Sequence, residues 1–171
     1  MSYKLAVPLF FIALILQTTV LNKIAIYGYA PNLLLCMVVV FSFLYQRLYG
    51  LVLGAIFGIL LDLVTKPIVG IESLTFLVTF IIASALSEYF NHEKLLPDLV
   101  TGVIATVLSV GIKYLLYLLV GYTVNLSVCL ESLKVLIPYN LVVIAILHLV
   151  FVRSIIRFYN DRKFQGGYWT E

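Results

Sequence analysis

The chain has 171 residues, of which 63% are hydrophobic and only 11% charged, with a net charge of +3. Soluble domains carry about 25% charged residues, so this composition leaves too little polar surface to cover a globule in water, and the mean hydropathy of +1.13 agrees. A soluble domain is excluded, and so small a positive balance carries no nucleic-acid signature.

A helix needs about 20 apolar residues to cross the hydrocarbon. The chain therefore has room for six short-looped spans and no separate soluble domain, and an all-α polytopic membrane protein is expected. Helix one runs from Leu5 to Leu21, with Pro8 tolerated in its first turns and Gln17 as its polar interruption. The segment begins like a signal peptide but lacks an A-x-A-like cleavage site, so it is read as an uncleaved span. No lipidation motif is visible. Asn22–Ala30 is a loop, and Pro31 opens helix two at an N1-type position, running to Tyr45. Gln46 and Arg47 turn the chain.

Helix three, Tyr49–Val64, contains GLVLGAIFGILLD from Gly50 to Asp62. Gly50, Gly54 and Gly58 recur every fourth residue, a rotation of about 400°, so they form one slightly slanting ridge without side chains, and Asp62 continues it. In water each glycine costs a helix about 1 kcal/mol relative to alanine. In lipid a small-xxx-small row lets another helix approach backbone to backbone, and a carboxylate ending that row is expected to face protein. The turn Thr65-Lys66-Pro67 ends the helix, Gly70 follows, and helix four runs from Ile71 to Tyr89 with Glu72 in its first turn.

Phe90–Pro97 reads as the most polar internal loop, and Asp98 stands where a cap for helix five, Leu99–Val120, belongs. Between Tyr122 and Leu130 polar and apolar residues alternate, which predicts an extended or interfacial segment. Helix six covers Ser132–Phe151, with Pro138 near its start. Residues 1–152 thus form a six-helix transmembrane domain and 153–171 a basic, then aromatic, cytoplasmic tail. Its Arg153 and Arg157 are expected to contact anionic lipid.

Six spans put both termini on one side. Seven Lys and Arg residues fall on that side and three on the other, with Lys113 inside a span, so the positive-inside bias places both termini in the cytoplasm. This orientation gives the polar residues a height. Gln17, Asn32, Asp62, Glu72, Lys113 and Asn140, one from each span, fall in a single outer layer. Lys113 is the one basic residue deep in a span, and a buried charge needs a partner, so Asp62 or Glu72 is expected beside it. Blander readings stand next to these. The carboxylates also fit headgroup solvation, Lys113 can snorkel, Asn32 can simply cap helix two, and Gln17 and Asn140 can be plain interhelical glue. His148, near the inner end of helix six, reads as structural.

No chemistry-bearing motif is present: no GxSG, HExxH, P-loop or GxGxxG, and no pair of intramembrane aspartates. Cys36 and Cys129 show neither a CxxC nor a Cys/His zinc spacing, and no disulfide is expected between them because Cys36 lies in an apolar run. Neither enzyme activity nor a cofactor nor a metal is expected.

Taken together, Gln17 late in helix one, Pro31-Asn32-Leu33-Leu34-Leu35 opening helix two, the glycine ridge running into Leu60-Leu61-Asp62-Leu63, and Gly70 after a short loop make the chain resemble the MreD family of rod shape-determining membrane proteins. The likeness covers nearly the whole chain in length and span order. Its specific part is Gln17–Gly70, and the roles of Lys113 and Asn140 rest on their depth alone. The resemblance implies a multi-pass protein of the bacterial cytoplasmic membrane, a non-catalytic scaffold of the elongation complex that inserts side-wall peptidoglycan. Its implied partners are MreC, then RodA and a class B penicillin-binding transpeptidase, and indirectly MreB. The glycine face is then expected to pack inside the bundle or against MreC. The family fold is similar to that of the S components of energy-coupling-factor transporters. That supplies the alternative, a vitamin-binding S component, which docks through alanines spaced by four in helix one; here Ala6 and Ala13 are seven apart.

Overall fold

The computed structural model describes residues 3–44, 47–65, 68–89 and 95–152. They form six helices: α1 (Tyr3–Thr19), α2 (Leu33–Leu44), α3 (Arg47–Thr65), α4 (Ile71–Ser87), α5 (Leu95–Leu119) and α6 (Leu126–Leu147). A 3-10 turn, Leu21–Ile24, follows α1, and a π-helical turn, His148–Val152, continues α6. Among the described residues the only β pairing is a single bridge between Ile26 and Tyr29.

The helix α2 organises the rest. It reads LLLCMVVVFSFL, apolar on every side, and such a helix belongs in a core. Leu34 to Phe43 are all buried, and α2 touches each of the other five helices. One side, with Leu34, Met37, Val38 and Phe41, packs on Phe10 of α1, Phe57 of α3, and Phe76 and Phe80 of α4. The other side, with Cys36, Val39, Val40 and Phe43, packs on Ala105 of α5 and Ile144 of α6. Phe10 joins the first cluster through edge and tilted ring contacts with Phe41 and Phe57, at 5.3 and 5.2 Å.

Polar groups are buried beside this apolar core while many large apolar side chains are exposed. Asp62, Glu72, Asp98, Thr106, Asn140 and His148 are buried, whereas Phe11, Ile15, Leu63, Ile81, Val142 and Ile146 face outwards. Apolar exposure on that scale suits acyl chains rather than water. By length and composition α5 and α6 are long and apolar enough to cross a membrane, and the apolar parts of the other four helices are 10 to 17 residues long.

The glycine ridge of α3 faces α4. A Cβ on Gly58 would stand 2.4 Å from Ser73 Cα and 2.7 Å from Ser73 N. Here the two backbones touch. At Gly50 a Cβ would meet the Phe80 ring, while at Gly54 it would make ordinary contacts, 3.6 Å to Val38 and 3.7 Å to Phe76. Ser73 Oγ donates to the Ala55 carbonyl at 3.0 Å across the same seam.

Three sequence expectations are corrected. Residues 126–130 are helical, not extended: Asn125 caps α6, its Oδ1 accepting the Ser127 N–H at 3.1 Å. Leu126, Val128 and Leu130 are all exposed there, so the alternation had no buried face to follow. Pro138 consequently lies in the middle of α6. The helix α5 starts at Leu95, so Pro97 and Asp98 both lie within its first turn and Asp98 does not precede the helix. The tail residues Arg153 and Arg157 lie outside the described residues.

Candidate functional site

The site is built around the start of α2. A helix N-terminus exposes N–H groups that lack intrahelical partners, and here they are satisfied by side-chain amides from three elements. Asn32 Oδ1 accepts the Leu35 N–H at 3.0 Å, as an N-cap does. Gln17 bridges α1 to this turn, its Oε1 accepting the Leu33 N–H at 2.7 Å and its Nε2 donating to the Pro31 carbonyl at 3.0 Å. Asn140 of α6 accepts the Asn32 N–H at 3.0 Å, and its Nδ2 donates to Thr106 Oγ1 of α5, also at 3.0 Å. Asn140 thereby ties α2, α5 and α6 together in the interior, where such bonds meet no competing water.

Beside this amide cluster Lys113 Nζ of α5 lies 2.8 Å from Glu72 Oε1 of α4. The carboxylate side chain is 4% exposed and the ammonium side chain 22%. Glu72 is therefore the counter-ion of Lys113. Asp62 has a different task. Its Oδ2 accepts the Gly70 and Glu72 N–H groups, both at 2.9 Å. A carboxylate at a helix N-terminus is favoured by the helix dipole, so Asp62, near the end of α3, caps α4.

Gln17, Asn32, Glu72, Lys113 and Asn140 all line one open cavity of about 530 Å³, within the size range of ligand pockets. Tyr29, Tyr114 and Tyr117 form aromatic walls, and Cys129 and Ser132 bring the first turns of α6 to it. Five helices thus contribute polar groups to one concavity at the end of the bundle where α1, α3 and α5 finish and α2, α4 and α6 begin. Most of these groups already bond to one another. The Lys113–Glu72 pair lies on the cavity wall, and the Ser109 and Ser132 hydroxyls there donate to the Thr106 and Cys129 carbonyls. Such a surface can hold an inserted polar segment. Among the described residues no group of three His, Cys, Asp or Glu side chains is placed to hold a metal ion, and Cys36 and Cys129 are both free.

Sequence reasoning missed a second polar pair, at the opposite end of the bundle. Asp98 Oδ2 of α5 lies 2.6 Å from His148 Nδ1, where α6 passes into its π-helical turn. Both are buried. The signal was in the spacing. Asp98, Thr101, Gly102, Ala105, Thr106 and Ser109 form one buried face of α5, with the 3-and-4 period of an inward stripe, and Asp98 belongs to it.

The family model described as rod shape-determining protein MreD matches residues 2–161 of the chain. The comparisons with curated proteins and with solved structures give no match.

Proposed function

This chain belongs to the MreD family of rod shape-determining membrane proteins, and from that premise we propose that it is a non-catalytic scaffold of the elongation complex whose outer cavity receives a membrane-proximal segment of MreC. In this reading all six helices are embedded in the cytoplasmic membrane with both termini in the cytoplasm, in keeping with the bias of Lys and Arg to that side. The cavity then opens to the outer side, where MreC leaves the bilayer. RodA, a class B penicillin-binding transpeptidase and, indirectly, MreB are reached through that assembly. The basic tail with Arg153 and Arg157 rests on anionic lipid.

The observation that carries the reading is the convergence of Gln17, Asn32, Glu72, Lys113 and Asn140 on one open cavity. In this reading the glycine ridge packs within the bundle, where α4 lies against Gly50 and Gly58, and the partner binds elsewhere. A cavity of this size also suits a small ligand, but the docking row that the vitamin-binding alternative needs is missing from α1. Ala6 and Ala13 are buried at 1% and 2% exposure against the core, so α1 has no outward row of small residues on which a transporter module would dock.

The test is to fill the cavity. Cys129→Trp places an indole at a cavity-lining position on the first turns of α6, away from the Gln17–Asn32–Asn140 cluster. The variant is expected to purify as a folded protein and to lose MreC on co-purification from native membranes. Undiminished recovery of MreC would remove the cavity from the interface.

A further inference from the structure

We infer that the α1–α2 connection is a membrane anchor, a tight hairpin whose outer face lies in the boundary between lipid headgroups and acyl chains. It rests on the family's membrane location and not on what fills the cavity.

The hairpin is well defined. Ile26 and Tyr29 exchange both backbone hydrogen bonds, at 3.0 and 2.9 Å, around the two-residue turn Tyr27-Gly28. Both turn residues have positive φ, 51° and 82°, the pattern of a type I′ turn. Such a turn prefers Asn or Asp before Gly, because positive φ is sterically costly for a residue with a bulky side chain. Here the position holds a tyrosine, and it is 89% exposed. The ring recovers nothing from its own chain for the backbone conformation it occupies. The ring is therefore open to contacts outside the protein.

The neighbouring side chains say what those contacts are. Ile12, Leu16, Val20 and Ile24 follow one another at intervals of four and are all exposed. The first three lie on α1 or at its end and the fourth in the 3-10 turn, so the lipid-facing row of α1 runs on without a break into the connection. Ile26 and Tyr27 extend it, and Lys23 is exposed beside them. Aliphatic side chains, a tyrosine and a lysine at one level are what the headgroup boundary accommodates: the aromatic body is amphipathic and the ammonium reaches phosphate. A backbone whose bridge bonds are closed internally can enter that layer at little cost.

The connection also touches the bundle. Asn22, Gly28, Tyr29 and Ala30 line the cavity, and Tyr139 Oη of α6 donates to the Ile24 carbonyl at 2.9 Å, holding the connection to the bundle. One wall of the cavity is therefore pinned to the membrane surface, and an occupant must enter along that surface.

The experiment uses the full chain with its only tryptophan removed, Trp169→Phe, and Tyr27→Trp introduced. The protein is reconstituted in phosphatidylethanolamine–phosphatidylglycerol vesicles whose acyl chains carry bromine either near the headgroup or near the bilayer centre. We expect emission shifted to the blue of tryptophan in water, quenched by the shallow bromines and spared by the deep ones. Emission at the aqueous wavelength without quenching would overturn the inference. So would an aqueous spectrum that turns blue only when MreC is added, since a protein would then be covering this face. Ile26→Trp, on the same surface but in extended backbone, gives the same readout if the first variant does not fold.

Discussion

The sharpest energetic consequence concerns two glycines one turn apart. In Gly58→Ala the new methyl group would meet the Ser73 backbone at 2.4 Å, where carbon atoms rest at about 3.5–4.0 Å. Backbone cannot rotate aside, so α3 and α4 must part by more than about 1 Å. Overpacking of this kind costs about 1–3 kcal/mol. The separation also stretches the bonds that Asp62 accepts from Gly70 and Glu72 one turn further on, and hydrogen bonds to a charged group contribute about 1.5–3 kcal/mol each. Against this stands the helix preference for alanine, about 1 kcal/mol. The net loss is about 2–4 kcal/mol, or roughly 5–15 °C in Tm for a chain of this size. Gly54→Ala has the opposite sign. Its methyl group lands at 3.6 Å from Val38 and 3.7 Å from Phe76, so only the propensity gain remains, a rise of up to about 4 °C. Thermal unfolding of both variants in the same detergent, followed by tryptophan or thiol-reactive fluorescence, reads the difference. Equal shifts in the two, or a Gly58→Ala protein as stable as the parent, would refute the backbone contact between α3 and α4.

Two further predictions follow from the cavity. Lys113→Met removes the ammonium beside the Glu72 carboxylate, a loss of about 1–3 kcal/mol; adding Glu72→Gln is expected to restore most of the Tm, whereas additive losses would show that the pair does not interact. Asn140→Leu removes the acceptor of the Asn32 N–H and the donor to Thr106, and the buried groups left behind cost about 1–3 kcal/mol each. A lowered Tm is expected, and an unchanged one would mean that solvent already serves these groups.

What could be read from residues alone depended on whether the signal was one of height or of direction. Lys113 had to find a carboxylate because it was the one cation deep in a span, and depth sufficed to name Glu72 as a candidate. Depth could not separate Glu72 from Asp62. That distinction depends on which way the first turn of α4 faces, which Gly70, at φ 108°, sets. The glycine ridge was legible as a surface for close approach, but the partner helix is chosen by the tertiary fold, through the Asp62 cap that folds α4 back along α3. Asp98 was misread because Pro-Asp looks locally like a helix start, while its buried pairing with His148 lies 50 residues away. The interior position of α2 was implicit in its unbroken apolar sequence, yet a lipid-facing span has the same composition, so hydropathy could not tell the two apart.

The central claim is that MreC occupies the outer cavity. It is tested most directly by a photo-crosslinking amino acid at adjacent positions of α5: Tyr114, which lines the cavity, and Leu115, which is 59% exposed on the outward surface. In cells that also make MreC, irradiation is predicted to join MreC to position 114 and not to position 115. A crosslink to MreC from position 115 with none from position 114 would place the partner on the lipid-facing side and contradict the account.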